Sequence, residues 1–308
     1  MAIEKREFKV RSSDGIHDLA GVIYRPDGDI RGFFHIVHGM TEHIGRYEGF
    51  MRDMAKEGFI CFGYDNLGHG NTANSDDELG YIAPKDGWKL LVKDVRVFSK
   101  AVFAEYKRDN QPYCLMGHSM GSFIVRLAAE REVAPDRLII MGTGTGNPAA
   151  GAGIVLADTI KLFKGGKHIS GLMRKMVFGT YNNKFENEMD DAPAPWLTND
   201  KEIRINYAKD KFCTFEFTVS AMGDLIALTK NANRKGWYKS MSGAMPILIV
   251  SGEDDPVGGY GEGIKDVFDK LKKSGADAKC ILYPKARHEI LNDFTYETVK
   301  KDILDFAE

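Results

Sequence analysis

The sequence predicts an α/β protein, with a mostly parallel central sheet, helices on both faces, and an inserted helical segment. Three observations carry this. Short apolar runs (FFHIVHG, FICFGYD, YCLMGHS, RLIIMGTG) alternate with longer stretches of helical period, and strands that apolar have no wet face, so they belong in a sheet covered on both sides. The alternation stops after Gly146 and resumes at PILIVSG, residues 246–252. Finally, 308 residues with 43% hydrophobic and 28% charged side chains form an ordinary globular chain, able to bury one large core or two small ones.

Taken in order, EFKVR and LAGVIYR flank a turn at Ser12-Ser13-Asp14-Gly15 and read as an antiparallel hairpin. FFHIVHG is the next strand, followed by a helix from about Arg46 to Glu57, the strand FICFGYD, and a helix from about Gly87 to Tyr106. In that helix Trp88, Leu91, Val92, Val95, Phe98 and Val102 share one face. YCLMGHS, a helix from Ser119 and RLIIMGTG complete the first part. After PILIVSG, Ile264, Val267, Phe268 and Leu271 recur at helical spacing, and then come KCILYP and a last helix. The expected organisation is a core of residues 1–146 and 243–308, with a helical cap at 147–242. The cap's charge is uneven: from Gly151 to Tyr181 five basic residues face one acidic one, and from Asn182 to Glu202 six acidic residues face two lysines.

Lysine plus arginine (42) against aspartate plus glutamate (44) leaves a net charge of −2, which excludes the basic excess that drives phosphate-backbone binding. Nucleic acid is therefore not an expected partner. No apolar run approaches the roughly 20 residues that span a bilayer, and residues 1–10 lack a signal-peptide core, so a cytoplasmic location is expected. Cys61, Cys114, Cys213 and Cys280 are far apart in sequence, and three of them lie in apolar strand-like runs, so they read as free core thiols and not as disulfides or metal ligands.

The most specific motif is Gly117-His118-Ser119-Met120-Gly121, between an apolar strand and the helical run SFIVRLAAER. A strand turning sharply into a helix lifts the Ser119 hydroxyl out of the sheet, and the flanking glycines remove Cβ clashes. A serine needs a base, and the base needs a carboxylate to hold its tautomer. In this architecture the acid and the histidine follow the serine in that order. His288, the one histidine after the insertion, is the candidate base. Asp255 is the candidate acid, because Pro256 fixes the turn behind it; Asp254 and Glu253 are its rivals. His38, His69 and His118 are read as positioning loops by hydrogen bonding. The oxyanion donors are expected at the backbone N–H groups of Met120 and Met40.

These segments resemble the α/β-hydrolases of the monoacylglycerol lipase and lysophospholipase group, which share a sequence family with serine aminopeptidases. HGMTEHIGRY (38–47), DNLGHGNT (65–72), GHSMGS (117–122), SGEDDPVG (251–258) and ARHEILND (287–294) carry the resemblance in the core. WLTND (196–200) and DKFCTFEFTVSAMGDL (210–225) carry it in the cap. Leu67 and Asn71 depart from the group's pattern, in which arginine precedes GHG and serine follows it. The resemblance implies an α/β-hydrolase fold and a serine esterase acting on a single-chain acyl ester, monoacylglycerol or lysophospholipid, with no metal or organic cofactor. It also implies a cap shaping an acyl tunnel. Ile154, Val155, Leu156, Ile160, Leu162 and Phe163 are candidates to line that tunnel or to form the cap's own core, and Lys161, Lys164 and Lys167 to form a solvated face or meet an anionic lipid surface. Two other readings stand beside this one. One is an amidase or aminopeptidase, whose substrate amine would meet Glu186, Glu188, Asp190 or Asp191 beneath the cap. The other is a non-catalytic ligand-binding protein on the same fold.

Overall fold

A computed structural model describes residues 2–107, 110–189, 192–241, 243 and 245–308. The chain begins with β1 (Ile3–Arg11) and β2 (Asp18–Pro26), which pair antiparallel from Ile3↔Pro26 to Arg11↔Asp18. Next come β3 (Gly32–Val37), α1 (Glu48–Lys56), β4 (Phe59–Tyr64), α2 (Gly87–Tyr106), β5 (Tyr113–His118), α3 (Met120–Arg131) and β6 (Arg137–Met141). Four helices follow without a strand among the described residues: α4 (Ala150–Lys164), α5 (Gly171–Phe178), α6 (Lys201–Lys209) and α7 (Val219–Ala232). β7 (Ile247–Gly252), α8 (Glu262–Lys273), β8 (Ala278–Tyr283) and α9 (Tyr296–Ala307) close the chain.

The eight strands form one sheet in the order β1-β2-β4-β3-β5-β6-β7-β8, with β3 to β8 parallel. Successive residues serve opposite faces, as a two-residue period requires. Leu138 and Ile140 join Leu91, Val95 and Phe123 on one side; Ile139 and Met141 join Met51, Met54 and Ile303 on the other. The continuously apolar strands are thus explained by helices on both faces. In such sheets the crevice outside the strands' carboxyl ends is where ligands bind, and β3, β5, β7 and β8 all deliver their following loops there.

α7 does not stand apart from the sheet layers. Its Val219, Met222, Leu225 and Leu228 belong to the same apolar cluster as Val95 and Ile140. Two polar ties add to this. Asp224 Oδ1 accepts the Trp88 N–H at 3.0 Å, capping α2 from a distant part of the chain, because α2's own Asp86 makes no side-chain cap. Arg126 of α3 is fully buried, with its guanidinium 3.9 Å from the centroid of the Trp237 ring.

Candidate active site

Ser119 stands between β5 and α3 with φ 54° and ψ −120°, a conformation a serine adopts only when its surroundings impose it. The imposition is steric. A Cβ at Gly117 would lie 2.3 Å from the Gly121 carbonyl oxygen, and one at Gly121 would lie 2.1 Å from the Val37 oxygen. Both flanking glycines are therefore needed for α3 to start this close to β3.

The loops after β7 and β8 meet at Gly252, where a Cβ would sit 2.2 Å from the carbonyl oxygens of Ala286 and Arg287. That close approach joins Asp255 to His288: Asp255 Oδ2 lies 2.9 Å from His288 Nδ1, and both residues are buried. The carboxylate is itself held, accepting from Ser251 Oγ at 3.1 Å and the Val257 N–H at 2.8 Å. Asp254, one position earlier, pairs with the exposed Lys184 instead, and Glu253 is exposed. Of the three candidate acids, only Asp255 reaches the histidine.

Ser119, His288, Met40 and Met120 face one cavity of about 610 Å³. No hydrogen bond joins Ser119 Oγ to His288 here; such contacts commonly tighten only around substrate. Met120 opens α3, so its N–H is one of the amides a helix leaves unpaired at its start. Neither that N–H nor that of Met40 finds an acceptor within the described residues. The serine, the histidine and two available amides thus open onto one space, an arrangement able to support acyl transfer.

A family model described as Hydrolase_4, "Serine aminopeptidase, S33", matches residues 28–295. The chain belongs to the Hydrolase_4 family. A monoacylglycerol lipase from Mycolicibacterium smegmatis is 23% identical over 306 residues, which cover 96% of this chain and 97% of that protein. Among solved structures, a thermostable carboxyl esterase from Bacillus coagulans superposes with a TM-score of 0.89 at 28% identity, covering 99% of this chain and 98% of that one. A soluble variant of monoglyceride lipase from Saccharomyces cerevisiae gives 0.74 at 18%, covering 99% and 94%. The fold is that of the α/β-hydrolases.

Within this Hydrolase_4 chain the motif histidines divide by charge. His38 donates from Nδ1 to the Gly39 oxygen and accepts the Asn66 N–H at Nε2, which fixes a neutral ring; burial lowers its pKa. His69 is likewise buried, its pKa pushed down to about 3. Both hold loops, as expected. His118 differs: Nδ1 lies 3.0 Å from Glu42 Oε1 and Nε2 3.3 Å from the His288 oxygen, so both nitrogens face acceptors. Burial alone would lower its pKa, but the Glu42 carboxylate raises it. Glu42 is in turn held well below the usual carboxylate range: burial works against this, and His118 and Arg46 outweigh it. Arg46 also forms a two-point pair with Glu289 at 2.5 and 2.7 Å. Nothing in the one-dimensional spacing announces this buried cluster, since its members come from three separate segments: Glu42 and Arg46 after β3, His118 at the end of β5 and Glu289 after β8.

The departures at Leu67 and Asn71 leave their loop anchored. Leu67 is core, and Asn71 contributes only its backbone N–H, to Asp65 Oδ2 at 2.7 Å. The inserted segment holds a correction. Val155, Leu162 and Phe163 are exposed, Phe163 to 81%, so they form neither tunnel nor core. Ile154, Leu156 and Ile160 are half-buried, and none of the six lines the cavity. Its apolar wall comes instead from Met173, Val177, Phe178, Phe217, Met222 and Ile226. α4 turns its lysine-flanked apolar face outward because two of its small residues, Gly153 and Ala157, meet Ile226 and Gly223 of α7. The carboxylates considered for an amine site are also elsewhere: Glu186 is exposed, and Glu188 pairs with Arg287 at 2.7 Å. Asp190 and Asp191 lie outside the described residues. No helix among the described residues is long and apolar enough to cross a membrane.

Proposed function

We propose that this hydrolase cleaves carboxylic esters of a single acyl chain, monoacylglycerol or lysophospholipid, through Ser119, His288 and Asp255, with residues 147–242 serving as the cap. The observation that carries the reading is the 2.9 Å Asp255–His288 contact together with a strained Ser119, with Ser119 and His288 both lining an apolar-walled cavity. Its volume of about 610 Å³ suits a small-molecule ligand, and a methionine- and phenylalanine-rich wall gains about 0.8 kcal/mol for each methylene it buries.

In this mechanism Ser119 Oγ attacks the ester carbonyl while His288 Nε2 takes its proton, and Asp255 keeps the proton on Nδ1. The oxyanion meets the Met40 and Met120 amides. Collapse breaks the acyl C–O bond as His288 returns the proton to the leaving alcohol. Water, deprotonated by His288, then releases the fatty acid and restores Ser119.

A fluorophosphonate probe tests the nucleophile: it labels the native protein and leaves Ser119→Ala unlabelled, and equal labelling of both would sink the assignment. A hydrolysis panel tests the substrate class. Long-chain monoacylglycerols or lysophospholipids are turned over faster than short activated esters and aminoacyl amides. Turnover of short esters alone would remove the lipid reading, and preference for the amide would favour the aminopeptidase reading.

A further inference from the structure

Away from the Ser119 cavity, the loop 38–47 and the turn after α6 bring together a histidine, a carboxylate and a thiol. His43 Nε2 lies 2.9 Å from Asp210 Oδ2, and the donor atoms of His43, Asp210 and Cys213 all lie within 4.8 Å of one another. The turn is built to present them. Asp210 Oδ1 accepts the Phe212 N–H at 2.8 Å and the Asp210 carbonyl accepts the Cys213 N–H at 2.9 Å, leaving Oδ2 and the thiol on the side facing His43.

We propose that His43, Asp210 and Cys213 form a binding site for a thiophilic divalent cation of the zinc class. One nitrogen, one oxygen and one sulfur donor suit a tetrahedral ion of intermediate softness, with bonds of about 2.0–2.3 Å and donor separations of about 3.3–3.8 Å. The His43–Asp210 pair at 2.9 Å has to open by a few tenths of an ångström, and the thiol, within 4.8 Å of both, to close by up to about 1 Å. On binding, the thiol gives up its proton to solvent and the His43 proton moves to Nδ1, so thiolate and carboxylate balance the ion's two charges. His43 and Asp210 side chains keep 19% and 33% of their exposure, which gives the ion a way in and a water the fourth position. The four cysteines are far apart in sequence, and it is the fold that gives Cys213 a partner, His43, from about 170 residues upstream.

Cobalt(II) is the probe, because thiolate ligation gives a near-ultraviolet charge-transfer band. The chelator-treated full chain develops this band at one equivalent of cobalt, and zinc bleaches it. Cys213→Ser and His43→Gln lose the band, as does Asp210→Asn, kept as the variant closest in shape. Zinc also raises the melting temperature of the native chain and not of these variants, since a ligand that binds only the folded state stabilises it. Ser119→Ala retains the band, which separates this site from the ester-cleaving reading. Absence of the band in the native chain at excess cobalt, or an equal band in Cys213→Ser and His43→Gln, overturns the site.

Discussion

The Trp196 indole packs on the His288 imidazole with ring centroids 5.0 Å apart, and the Trp196 carbonyl accepts the His288 N–H at 3.4 Å. The inserted segment therefore touches the proposed base by both ring and backbone. A ring held on one side by Asp255 and packed against an indole has little freedom to swing from the nucleophile. Trp196→Ala is expected to lower kcat about 10- to 100-fold on a chromogenic ester, the usual cost of misplacing a reacting group by about an ångström. Fluorophosphonate labelling slows with it. Unchanged kcat would show that Asp255 alone orients the ring.

Asp255→Asn keeps the shape of the acid and inverts the tautomer it favours on His288, so kcat is expected to drop by about 10⁴ with little change in melting temperature. Asp254→Asn, which removes only the surface pair with Lys184, should stay within about twofold of the native rate. Steady-state kinetics on both variants decide the matter, and comparable losses would mean that the acid is misassigned.

Gly121→Ala asks for a Cβ 2.1 Å from the Val37 oxygen and 2.7 Å from the His38 oxygen, backbone atoms with no flexible side chain to yield. A loss of at least about 2 kcal/mol is expected, read as a lower denaturant midpoint. A variant as stable as the native chain would contradict the close β3–α3 contact.

Asp224 supplies a pH dependence. Burial raises its pKa from 3.8 to about 7, against the lowering by the Trp88 N–H it accepts. A folded-state pKa above the unfolded one means that the folded protein binds more protons between these values. This contribution to stability is full below about 4 and is lost as pH rises through about 7. Melting temperatures between pH 5 and 8 should fall more steeply for the native chain than for Asp224→Asn. Parallel curves would rule out Asp224 as the group responsible.

The hairpin, the parallel strands and their helices could be read from the sequence because burial on both faces leaves unbroken apolar runs, and helix packing leaves a 3.6-residue period. Ser119 and His288 were legible for a related reason, since their loops follow such runs directly. Asp255 is preferred to Asp254 on the proline behind it and on the resemblance of SGEDDPVG, and in the fold their partners separate them, His288 for Asp255 and Lys184 for Asp254. The inserted segment was read less well. α4 has apolar residues on most of its circumference, and periodicity cannot say which of them faces α7. Its small residues decided the packing, so Leu162 and Phe163 went outward. That Glu42, His118, Arg46 and Glu289 meet in one charge cluster was beyond sequence reasoning, because a cluster assembled from three separate segments has no local period.

The inserted segment is fastened at fixed points: the Trp196 and Leu197 carbonyls hold the amides of His288 and Glu289, and Tyr207 donates to the Thr41 carbonyl. None of these fastenings involves α4 or α5, although α5 supplies Met173, Val177 and Phe178 to the cavity wall. The stretch 150–178 is fastened to α7 instead: the Val219 and Ser220 N–H groups donate to the His168 and Gly166 carbonyls, and Gly153 and Ala157 pack on Ile226 and Gly223. Substitutions in α5 would therefore reshape the cavity wall, while the bonds that hold His288 in place stay untouched.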